Sequence, residues 1–283
     1  MPCSVLGMSA TLYHAFWTLW TSLSVFCWLG VNGEYLPPWI SKDECHAPRP
    51  DFVPKSMFPA SYPIKDALKN SEPLKYMGCE FSGDKFWGQV AEDAIIYGQF
   101  FRDEVWRGNG FFVEMGGLDG WMFSNTFLFE HCLGWNGMLI EAEPKNFREM
   151  SEHRPCSINV WSAACPSGTA YLPMTQNAGV SQIQNSIDTP RSTLVPCRPL
   201  SAIFDEYGVT WIDFFSLDVE GHEAVVLETM DFSRVKIGVM VVELERLGMD
   251  SGSEVASAKN KRVHELLTAA GMIKVCAYLC CVC

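Results

Sequence analysis

The apolar side chains change character three times along the chain. Residues 5–31, "VLGMSATLYHAFWTLWTSLSVFCWLGV", contain no Asp, Glu, Lys or Arg. From Glu34 to about Met77 the chain is rich in Pro, Lys and Ser and sustains neither a helical nor a strand period, which predicts a linker or irregular wrap over 34–85. In "GQVAEDAIIYGQFFRDEVW", Val90, Ala94, Ile95, Tyr97 and Phe101 fall near one helical face, with Gly98 the only breaker between Gln89 and Arg102. A helix there leads into a folded domain over 86–283.

Beyond that helix, apolar runs of strand length ("GFFVEM", "GMLIEAE", "INVWSAA", "WIDFFSLDV", "IGVMVVELE") alternate with helical segments ("NTFLFEHCLGW", "PKNFREMSEH", "PLSAIFDEYG", "HEAVVLETM", "NKRVHELLTAAG"). The strand runs lack polar alternation, as strands covered on both faces do. The fold class predicted is α/β, with a doubly wound, mostly parallel sheet and helices on each side. Ligands of such sheets sit at the carboxyl ends of the strands, and here those ends carry Glu114, Glu141, Ser162, Asp218 and Glu243.

Length and composition narrow the function classes. A chain of 283 residues, 48% of them hydrophobic, can close a sizeable core and is not a disordered protein. The formal net charge is −12 and the first charged residue is Glu34, so the whole acidic excess lies on the folding part. Such a surface repels a phosphate backbone, which argues against nucleic acid as a partner. The uncharged tract at 1–33 reads as a secretory signal, its apolar part running from about Ala15 to Gly30, or as an uncleaved membrane anchor. Its Ser, Thr and Trp content also allows a buried helix of a soluble domain. The first two readings place the protein in the secretory pathway, in the ER or Golgi lumen or secreted, with membrane association through residues 5–31. Twelve cysteines, ten of them after residue 33, permit luminal disulfides. Cys276, Cys280, Cys281 and Cys283 lack the paired spacing of a zinc site, and no metal is expected there.

The run "FFVEMGGLDG" ends a strand in an acid and a glycine turn. Leu118 stands where a dinucleotide fingerprint needs its second glycine, and no Gly-x-x-x-x-Gly-Lys-Ser/Thr loop occurs, so NAD and nucleoside triphosphates are disfavoured. What remains is Glu-x-Gly-x-x-x-Gly from Glu114 to Gly120, an acid able to pair with an ammonium beside glycines that admit a ligand. Glu141, ending the next strand, can accept hydrogen bonds from both hydroxyls of a ribose. Glu143 next to it is the better candidate for a merely solvated acid.

These runs, with "SNT", "GWNGMLIE", "SLDVEGHE" and "VMVVELE", resemble the FkbM-type methyltransferases over about residues 89–247. The resemblance implies a class I, Rossmann-like methyltransferase fold and S-adenosylmethionine as cofactor. It implies that Glu114, Gly116 and Gly120 line the methionine end, with Asp119 at the turn. Ser124 and Asn125 would open the next helix, whose free N–H groups could receive the ligand carboxylate; Ser124 could equally be a plain N-cap. Glu141 would take the ribose, and Ser162 and Ala163 would border the adenine.

Methyl transfer to an alcohol is an in-line displacement that needs a base near the acceptor. "SLDVEGHE" offers Asp218 first, with Glu220 and His222 as alternates. The clustered acids, with Glu243 and Glu245 after the fifth strand, could instead hold a divalent ion, although none is predicted. The function expected is O-methylation of a small-molecule, lipid or glycan hydroxyl. An inactive methyltransferase-like binding protein and a membrane-anchored glycosyltransferase are the alternatives. The family's sheet normally finishes with a helix and an antiparallel strand pair, whereas "VHELLTAAGMIKVCAYLCCVC" offers at most a sixth strand, so the last strand is expected to be lacking.

Overall fold

The structure is a computed structural model and describes residues 24–29, 87–89, 92–103, 108–175, 181–184, 192–244 and 253–276. The linker expected over 34–85, Glu245 and the last three tail cysteines lie outside these residues.

The predicted alternation is present. Strands β2 (Phe111–Met115), β3 (Asn136–Glu141), β4 (Ile158–Trp161), β8 (Trp211–Leu217) and β9 (Lys236–Leu244) run parallel in the spatial order β4-β3-β2-β8-β9. Helix α1 (Glu92–Phe100) precedes β2, and α2 (Phe127–His131) and α3 (Pro144–His153) follow β2 and β3. Helices α4 (Leu200–Tyr207), α5 (Glu223–Glu228) and α6 (Ser253–Ala269) come later in the chain. Successive strand residues face opposite layers. Phe111, Val113 and Met115 pack with Ile203, Phe204, Val226 and Leu267 on one side, whereas Phe112 packs with Ile96, Phe127, Phe129 and Met150 on the other. Two apolar layers explain why the strand runs carry no polar alternation. A second, three-stranded sheet joins β5 (Ala163–Ala164), β7 (Ser192–Arg198) and β6 (Tyr171–Thr175), and Cys165 and Cys197 form a disulfide at its base.

Part of the apolar N-terminal tract lies in the main sheet. Residues Ser24–Leu29 form strand β1, which pairs antiparallel with β9 over six positions and antiparallel with β10 (Ile273–Cys276) on its other side. The place of the strand expected to be lacking is therefore filled from the other end of the sequence. No helix among the described residues is long and apolar enough to cross a membrane. The described part of the tract read as a signal or anchor is a sheet strand. The physical reason is that an uncharged run rich in Val, Phe and Trp suits a sheet slot flanked on both sides as well as it suits lipid.

Candidate active site

Strand order reverses at β2: β3 and β4 lie to one side, β8 and β9 to the other. The loops leaving β2 and β8 therefore part at their carboxyl ends and leave a cleft. The cleft has a volume of about 360 Å3, in the range of small-molecule sites. All five parallel strands contribute to its wall, through Gly116 and Gly117, Glu141, Ser162 and Ala163, Asp218, and Glu243. Met174, Ser181 and Ile183, from β6 and the segment beyond it, close another side. Acids line the cleft, and no Lys or Arg is found among its described lining residues.

The glycine turn is shaped by the protein first. Gly116 has φ +89°, and a Cβ there would lie 1.6 Å from the carbonyl oxygen of Asp218. Leu118, at φ +49°, turns its N–H onto Glu141 Oε2 at 2.9 Å, and Glu143 N donates to Glu141 Oε1 at 2.7 Å. Both Glu141 oxygens are thus oriented at the cleft wall. Burial pushes this carboxyl up to about 7 despite those bonds. Glu143 is buried rather than solvated, and its side chain caps α3 by accepting the Asn146 N–H at 2.7 Å.

Glu114 does not line the cleft. Its Oε1 accepts the Asn125 N–H at 2.7 Å, and its Oε2 accepts Ser124 Oγ–H at 2.7 Å and Thr126 Oγ1–H at 2.6 Å. With these three bonds the carboxylate closes the loop behind the wall, and the pairing with a ligand ammonium stays an expectation. Burial raises its pKa, and the Arg154 charge is the largest opposing influence. The N–H groups expected to receive a ligand carboxylate are occupied too, since Ser124 Oγ accepts from Thr126 N at 3.3 Å and Phe127 N at 3.0 Å. Ser124 lines the cleft while its Oγ closes the turn that leads into α2, and Asn125 lies behind the wall. Asp119 and Gly120 are not in the wall either. Asp119 Oδ1 accepts the N–H groups of Trp121 and Met122 to close the turn, and Gly120, at φ +81°, leaves room for Arg154.

Asp218, Glu220 and His222 all face the cleft, with Glu243 from β9. Carboxylate oxygens of Asp218, Glu220 and Glu243 lie within 4.8 Å of one another, a set that could hold a divalent ion. Glu243 is pushed up to about 12, by burial first and then by its hydrogen bond with Asp218, so it keeps its proton. Burial and the Asp218 charge raise Glu220 to about 7. Burial also lowers the His222 pKa, which keeps the imidazole neutral, and its Nε2 has no partner.

Several residues carry no local signal in the sequence. Arg154 is buried beneath the glycine loop, donating to Gly120 O, Ser124 Oγ and Thr126 Oγ1 and pairing with Glu130. Gln89, Asn146 and Met174 enter the wall from distant elements. Gln89 and Asn146 fall in segments whose periodicity predicts helices, which marks neither as a site residue.

No curated protein matches the chain. Residues 114–272, more than half of the chain and all five parallel strands from Glu114 onward, match the family described as the methyltransferase FkbM domain. With its reversed strand order and a cleft at the strand ends, the chain belongs to the FkbM methyltransferase family.

Proposed function

We propose that this protein is an S-adenosylmethionine-dependent O-methyltransferase acting on a hydroxyl of a small-molecule, lipid or glycan acceptor. The observation that carries this reading is the convergence of Glu141 and the Asp218–Glu220–His222 loop on one acid-lined cleft at the switch point of the sheet. Glu141, with both oxygens set at the wall, would accept from the two ribose hydroxyls. The small side chains of Ser162 and Ala163 leave room for a flat base, and Gly116 and Gly117 bring backbone to the donor. An acid-lined wall favours a ligand that carries positive charge. When bound, the donor supplies a methyl group on cationic sulfur.

The remaining chemistry falls to the chain. Asp218 would accept the proton of the acceptor hydroxyl as the new O–CH3 bond forms and the S–CH3 bond breaks. Glu243, which keeps its own proton, holds the Asp218 carboxylate by a hydrogen bond. His222, neutral and with a bare Nε2, is the alternate base. A divalent ion on Asp218, Glu220 and Glu243 is the alternative to that hydrogen bond: it would displace the Glu243 proton and lower the acceptor's pKa. The Cys165–Cys197 disulfide supports an oxidising compartment such as the secretory lumen.

The test is incubation with a methyl-labelled donor and separate glycan, lipid and small-molecule extracts, with and without a chelator. Label on a hydroxyl in wild type and not in Asp218→Asn is the expected result. Saturable donor binding without any labelled product would favour a binding protein, and no donor binding would remove the reading.

A further inference from the structure

Two large apolar side chains face the cleft without belonging to the core. Met122 is 49% exposed and Phe123 half-buried. Both line the cleft, and neither joins any of the three apolar clusters formed by the described residues. The backbone there is strained as well. Three non-glycine residues among those described have a left-handed backbone, Leu118 at φ +49°, Phe123 at +61° and Glu220 at +55°, and all three line the cleft. Leu118 gains a hydrogen bond to Glu141 from its turn. For Phe123 the bulk of the side chain makes that conformation costly, and no place in the core offsets the cost. Strain that packing does not explain marks a functional position.

The segments that follow the adjacent strands β2 and β8 bring Met122 and Phe123 into one cleft with Asp218, the proposed base. Met174 and Ile183, bridged to each other, add apolar surface from the small sheet. The charge in this wall is acidic: Glu141, Asp218, Glu220 and Glu243 line it, and no described Lys or Arg does. An acceptor carrying phosphate, sulfate or carboxylate would meet like charge with no counter-ion. A sugar laid on Met and Phe side chains would take several hydroxyls out of water and give them no partner. An uncharged alcohol with hydrocarbon beside its hydroxyl incurs neither penalty, and burying that hydrocarbon on these side chains is favourable.

We propose that Met122 and Phe123 select the methyl acceptor, and that it is an uncharged alcohol with an apolar skeleton. The inference rests on the proposed methyl transfer. The test incubates the full chain and methyl-labelled donor with three fractions: the neutral and the acidic parts of a chloroform–methanol extract, separated by anion exchange, and the aqueous glycans. Label should enter the neutral fraction at least about tenfold faster than either of the others. Phe123→Gly removes the ring and the strain together, so it should melt within about 4 °C of wild type. It should bind S-adenosylhomocysteine within about threefold of wild type, yet need at least about tenfold more of the neutral fraction for half-maximal rate, the worth of one buried aromatic contact. Met122→Gln, at an exposed position, should show the same split with a shift of about threefold. A lower Tm with an unchanged half-saturating amount would make the ring structural and overturn the inference. Faster labelling of the acidic fraction or the glycans overturns the acceptor class and leaves methyl transfer standing, whereas no label in any fraction overturns both. Should Phe123→Gly not fold, the Met122→Gln measurement decides.

Discussion

The carbonyl oxygen of Asp218 occupies the space where a side chain of residue 116 would begin, 1.6 Å from the ideal Cβ position of Gly116. The ends of β2 and β8 close on each other at this point, and Asp218 N donates to Met115 O at 3.0 Å. One glycine therefore sets the distance between the glycine turn and the residue proposed as base.

Gly116→Ala should destabilise the protein by about 2–5 kcal/mol, because backbone strain and a backbone clash add. Gly208 also has positive φ, at +67°, but nothing within 4 Å of its Cβ position. Gly208→Ala should cost only about 1 kcal/mol. Urea unfolding of the two variants side by side checks the difference, and equal losses would show that the Asp218 contact is unimportant.

Glu141→Gln puts an amide donor against the N–H of either Leu118 or Glu143, so stability should fall by about 1–3 kcal/mol. Donor affinity should fall at least about tenfold. In the wild type, affinity should decline as pH drops through about 7, where the Glu141 carboxyl takes up its proton. The variant should lack that inflection, which a calorimetric pH series would reveal.

Asp218→Asn should lower kcat by about 100- to 10,000-fold, the range for a general base, with donor affinity changed by no more than a few-fold. Single-turnover methyl transfer gives the rate. A larger loss in His222→Asn would move the base to the imidazole, which burial keeps neutral.

The buried acids also set a stability profile. Asp93, Glu141, Glu220 and Glu223 are each raised to about 7 from ordinary values of 3.8 or 4.5. Below the unfolded pKa values both states are protonated and this contribution is fully present. Between about pH 4 and 7 the unfolded chain ionises while the folded one does not, so stability falls as pH rises. Glu243, raised to about 12, extends the loss to higher pH. Thermal melts should give a higher Tm near pH 5 than near pH 8, and the reverse order would contradict the burial of these carboxyls.

Removing the Cys165–Cys197 bridge, which spans 32 residues, should cost about 2–4 kcal/mol. The bridge ties β5 to β7 beside Met174 of the cleft wall. Double replacement by Ser should therefore lower Tm and weaken donor binding together, whereas a change in Tm alone would make the small sheet a scaffold only.

Much of this protein is legible in the order of its residues. The two-faced apolar runs and the segments between them specify strand and helix order, because burial on both faces of a strand needs only local composition. Acids at successive strand ends mark the cleft for the same reason. The family motif places Glu141, Asp218 and His222 in one wall. Which acids face that wall was decided by competition for donors: Glu114 and Glu141 end adjacent strands, yet Ser124, Asn125 and Thr126 claim the first and leave the second exposed to the cleft. Only the tertiary structure could bring Ser24–Leu29 between β9 and β10 or set Met122 and Phe123 in one cleft with Met174 and Ile183. Strand pairing and side-chain convergence are contacts between distant residues, and an uncharged apolar run carries no record of which strands it will pair with.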